Sequence, residues 1–65
     1  MKIQICLVGS SQRLVLDVAA SGLSDLASRM SRCRFLECRL VEVDGNGVDC
    51  DVLIPVNRVQ LVYES

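Results

Sequence analysis

Short stretches with apolar side chains at alternating positions recur along this chain, and several are apolar at the intervening positions as well. Only one stretch has helical spacing. In "KIQICLV" (2–8), Ile3, Ile5 and Leu7 point one way and Lys2, Gln4 and Cys6 the other. That period of two marks a half-buried strand. "GSSQ" (9–12) has turn chemistry, and "RLVLDV" (13–18) alternates again through Leu14, Leu16 and Val18, which predicts a hairpin.

Leu23, Leu26, Ala27 and Met30 then follow the spacing of one helical face. Ser21 is placed to act as N-cap, Asp25 falls in the first turn, and Arg29 and Arg32 fall in the last, where each charge suits the helix dipole. A helix is predicted over about 22–32. "FLECRLVEV" (35–43) is a strand, "DGNG" (44–47) a hairpin turn, "VDCDVLI" (48–54) the returning strand and "RVQLVY" (58–63) the last. Pro55 cannot donate to a ladder, so it ends its strand or lies on an edge.

The order β-β-α-β-β-β with short connections favours antiparallel pairing. The expected fold is α+β: one small domain over 1–65, with a five-stranded, mainly antiparallel, twisted sheet and one helix packed on one face. The alternative is a half-barrel, in which the sheet curls to hide its own second face.

Composition narrows the function classes. With 51% hydrophobic residues, mostly aliphatic, the chain has enough apolar surface to fold. A net charge of −1 provides no global field to draw it to nucleic acid or a membrane. No apolar run approaches the ~20 residues needed to span a bilayer. The opening "MKIQICLVG" fits a strand better than a signal peptide. These features predict a soluble, cytoplasmic protein with reduced thiols.

Three of the four cysteines, Cys33, Cys38 and Cys50, lie within "SRCRFLECRLVEVDGNGVDC" (31–50). A hairpin turning at Asn46-Gly47 pairs Val41 with Val52 and Val43 with Cys50, and so places Cys38 and Cys50 on opposite faces unless a β-bulge near Leu40 intervenes. No CxxC pair and no histidine is present, so no metal site and no cofactor are expected. Cys6, Cys38 and Cys50 read as small apolar fillers. Cys33, between Arg32 and Arg34, is the one candidate for thiol chemistry, although its place at a helix C-terminus opposes a thiolate.

Arg29, Arg32, Arg34 and Arg39 crowd one segment and are the candidate nucleic-acid contacts, but the near absence of aromatics and the acidic balance weigh against that use. Glu42, Asp44, Asp49 and Asp51 gather at the predicted hairpin tip, on one face, and invite a cationic partner such as the arginines of another subunit. Asp17 and Asp25 have no visible partner, and no catalytic signature is present, so enzymatic activity is not expected.

A single helix can cover only one sheet face. Cys6, Val8, Val15, Leu53 and Val62 sit at the intervening positions and are the candidates for a second, self-associating face. Several hundred Å2 of apolar burial per subunit, at ~25 cal/mol/Å2, is worth on the order of 10 kcal/mol before association entropy. The expected function is a small non-catalytic homo-oligomeric binding or regulatory module, most simply a dimer, with another protein as a further partner. A nucleic-acid-binding oligomer using the arginines is the alternative, and a thiol-based redox protein the third.

Overall fold

The computed structural model describes residues 1–65. Its elements are β1 (Lys2–Leu7), β2 (Leu14–Asp17), α1 (Leu23–Met30), β3 (Phe35–Val43), β4 (Asn46–Pro55), a single 3-10 turn (Val56–Arg58) and β5 (Val59–Glu64). All neighbouring strands pair antiparallel in one open sheet of order β4-β3-β2-β1-β5. The α+β fold is the one the alternation predicts. No helix is long and apolar enough to cross a membrane.

The order has a geometric consequence. β4 and β5 are the two edges, yet only Val56–Arg58 connects them. Four Cα steps span at most about 14 Å, whereas four strand spacings in a flat sheet cover about 19 Å. The sheet therefore curls without closing. The Val56 N–H donates to the Arg34 carbonyl (2.9 Å) and the Val8 N–H to the Arg58 carbonyl (2.7 Å), so the connector is bonded to both sides it joins.

The curl creates an inner and an outer face. Ile3, Ile5, Leu14, Leu16, Val18, Leu36, Cys38 and Ile54 are buried on the inner side, and Leu26 of α1 drops among them. The helical stripe is only partly used. Leu26 is buried and Met30 half-buried, but Leu23 and Ala27 remain exposed, and the helix ends at Met30 rather than Arg32. Ser31 Oγ and Arg32 Nε both donate to the Ser28 carbonyl and close that end. The N-cap is Gly22, not Ser21. Instead, the Ser21 backbone N–H donates to Asp25 Oδ2 (3.0 Å), which gives Asp25 the partner that its sequence context did not reveal.

The β3–β4 register also departs from expectation. Val43 pairs with Asn46, so the turn is Asp44-Gly45 and not Asn46-Gly47. Both turn residues have positive φ (51° and 84°), as a type I′ hairpin requires. A bulge between Leu40 and Glu42 then sets Leu36 against Ile54, Cys38 against Val52, Leu40 against Cys50 and Arg39 against Asp51. Apolar residues meet apolar residues inside, and opposite charges meet outside, which is why this register wins. Asp44 is held in place as its Oδ1 accepts from the Arg13 N–H (2.8 Å).

Leu16 is fully buried and Leu53 is 61% exposed. Leu16→Ala is expected to cost about 2–5 kcal/mol, and Leu53→Ala no more than about 0.5 kcal/mol. Chemical denaturation monitored by circular dichroism measures both.

Candidate interaction surface

The outer face is not the continuous apolar surface that the sequence suggests. The registers Lys2↔Asp17, Asp17↔Arg39 and Arg39↔Asp51 align four residues of alternating charge in one row across β1, β2, β3 and β4. Arg39 Nη1 lies 2.8 Å from Asp49 Oδ1, and its Nε 3.6 Å from Asp51 Oδ1. The N-terminal ammonium lies 3.4 Å from Asp17 Oδ1. Asp17 thus has, in the N-terminal ammonium, a partner that could not be seen from sequence.

This row also revises the reading of the acidic pole. Asp49 and Asp51 hold Arg39 of their own hairpin, Asp44 is bound into the turn, and Glu42 lies beside Val15. Glu42, Asp49 and Asp51 share the outer face, but three of the four carboxylates, Asp44, Asp49 and Asp51, are already engaged within the chain.

The arginine group disperses in the same way. Arg29 Nε pairs with Asp25 Oδ2 at 3.2 Å, Arg32 is bonded to the helix end, and Arg39 belongs to the outer row. Only Arg32 and Arg34 remain without a carboxylate among the four. Arg34 lines an open hollow of about 500 Å3 with Cys33, Phe35, Pro55, Val56 and Asn57. The Ser21 N–H, and after it the Arg29 guanidinium, hold the Asp25 carboxyl below the usual carboxylate range.

The cysteines serve separate positions. Cys6 is half-buried on the outer face opposite Leu61. Cys33 is exposed at the hollow's lip. Cys38 and Cys50 share the inner face, contrary to the opposite-face expectation, because the bulge restores their parity. Cys38 is buried and Cys50 exposed. Burial pushes the Cys38 thiol up to about 11 from its ordinary 9.0. No group of three His, Cys, Asp or Glu side chains lies where it could hold a metal ion.

The candidate self-association residues do not form one patch. Val15 is 6% exposed although no helix covers it, flanked in register by Gln4 and Glu42. Val8 and Leu53 are exposed at separate places. Val62 pairs with Ile5 and so faces inward, not outward. It lines an apolar hollow of about 250 Å3 with Leu23, Leu26, Ala27 and Met30.

Leu61 and Tyr63 on β5 take the outward positions that the alternation assigned to Val62. They were missed because a bulge between Cys6 and Leu7 shifts the β1–β5 register, and nothing local in "RVQLVY" marks it. Gln4 Nε2 donates to the Tyr63 hydroxyl at 2.6 Å and fixes the ring on the outer side. No protein-family model, curated protein or solved structure matches the chain.

Two outcomes follow for the thiols. At neutral pH a disulfide reagent is expected to label Cys33 and Cys50 first, Cys6 more slowly and Cys38 last, as read by mass spectrometry of timed digests. Because the folded state raises the Cys38 pKa, its stabilising contribution is complete below pH 9 and is lost as pH rises from there to about 11. The loss is at most about 3 kcal/mol, at ~1.4 kcal/mol per unit. Cys38→Val should remove that part of the alkaline fall in denaturant midpoint.

Proposed function

We propose that this protein is a small non-catalytic binding module that works as a homo-oligomer, most simply a dimer. One observation carries the proposal. Val8, Leu23, Phe35, Val48, Leu53, Leu61 and Tyr63 stay exposed, against only ten buried residues in the whole chain. An inner core this small gives a domain little margin, and shared burial between copies is the commonest remedy at this size. Asp17, Arg39, Asp49 and Asp51 on the outer face are paired within one chain, which leaves apolar association as the main driving force between copies.

The sheet is also open on both sides, so backbone donors and acceptors of β4 and β5 face outward. Such edges attract a further strand. Four cysteines, all unpaired, fit a reducing compartment such as the cytoplasm. For the nucleic-acid alternative, pairing of Arg29 and Arg39 with carboxylates of the same chain halves the cationic set on which that use relied.

Sedimentation equilibrium over a concentration series is the test. A mass of twice 7.1 kDa at about 10 μM and above is the expected result. A constant single-chain mass through the hundred-micromolar range would sink the proposal.

A further inference from the structure

We propose that the partner strand is β5 of a second copy, paired antiparallel about a two-fold axis at Val62. The inference rests on the homo-oligomer proposal and gives that oligomer its interface.

The backbone of β5 is already set for this. The Ser65 N–H donates to the Lys2 carbonyl at 3.2 Å. Antiparallel pairs alternate between bonded and non-bonded. Tyr63 and Leu61, in step with Ser65, therefore direct their backbone groups at β1, opposite Gln4 and Cys6. Val62 and Glu64 direct theirs at the free edge. When Val62 faces Val62 of the second copy, each N–H meets the other's carbonyl. Glu64 then faces Gln60 of the second copy, and the sheet continues through both chains.

The side chains select this register. On the outer face, Leu61 (55% exposed) comes opposite Tyr63 (41% exposed) of the other copy, and the two-fold axis repeats the pair. An aliphatic–aromatic cross-strand contact of this kind is favourable. On the inner face, the second copy's Val62 comes beside the hollow formed by Leu23, Leu26, Ala27, Met30 and Val62. A register centred on Leu61 fails, since it sets outward-facing Tyr63 against Val59, whose partner Leu7 lies beyond the register shift.

The opposite edge argues for the same choice. On β4, registers centred on Asp49, Cys50 or Asp51 set carboxylate against carboxylate, whether Asp49 on Asp51 or either on itself. Like charges directly opposite repel, and charged edges are a known guard against edge pairing. Asp49 and Asp51 are 72% and 84% exposed on their side chains, and the single Arg39 between them leaves this edge with a net negative charge that acts as the guard. The β5 edge has no such pair near its centre.

The experiment compares the intact protein with Val62→Pro, the double variant Leu61→Lys/Tyr63→Lys, and Leu53→Lys on the other edge. Proline at 62 deletes an N–H that points at the free edge and spares the β1–β5 ladder. Sedimentation should show both β5 variants at least about tenfold weaker in dimerisation, and Leu53→Lys unchanged. Amide hydrogen exchange of the intact protein should slow at Val62 and Glu64 as concentration rises, and stay constant at Asp51. This second measurement does not depend on any variant folding. A dimer that tolerates the β5 changes and shows no added protection at Val62 overturns the β5 interface and leaves self-association standing. A protein that stays monomeric overturns both.

Discussion

Ile3, Ile5, Leu16 and Leu26 are withdrawn from water together, and the rest of the molecule is arranged around that shared burial. Three of these side chains come from the central strands β1 and β2, and the fourth from the one helix. At roughly 2 kcal/mol for each large apolar side chain fully buried, they are the largest favourable contributions in so small a domain. The contact requires the sheet to curl, since eight helical residues could not cover a flat five-stranded surface. The Val56–Arg58 connector enforces that curl by joining the two edges over a span shorter than the flat sheet's width.

Curling makes the two faces unlike each other. The inner one is apolar across every strand, from Ile54 through Leu36, Leu16 and Ile3 to Val62. The outer one is crossed by Lys2, Asp17, Arg39 and Asp51, of alternating sign in register, with Arg39 and Asp51 in direct contact. Exposed pairs of this type each add little to stability. Their larger effect is on register, because a slip by one residue would carry the charges inward. Apolar side chains left outside the core are thereby pushed to the margins of the sheet, with Phe35 and Leu53 toward β4 and Leu61 and Tyr63 on β5.

The two margins differ in a way that matters for binding. β4 is long and carries alternating aspartates, so it is poorly suited to meet a copy of itself. β5 is short, apolar and next to an unfilled apolar hollow. In the dimer proposed above, β4 is the guarded edge and β5 the paired one, an asymmetry that would close the assembly as a pair.

Much of the fold could be read along the chain. Alternation placed β1, β2 and β3 within a residue or two, helical spacing placed α1, and Pro55 correctly marked the end of an edge strand. These features are local, because side-chain period and turn chemistry are fixed by neighbouring residues. What tertiary structure decided was parity. Asp44-Gly45 and Asn46-Gly47 are both competent turns, and only the pairing of Leu36 with Ile54 and Arg39 with Asp51 chose between them. With the bulge between Leu40 and Glu42, that pairing put Cys50 on the side of Cys38 and gave Asp49 and Asp51 to Arg39. The shift between Cys6 and Leu7 likewise turned Val62 inward and Leu61 outward. A bulge adds one residue to one strand and reverses every facing beyond it, and its position depends on the strand across the ladder rather than on the residues within it.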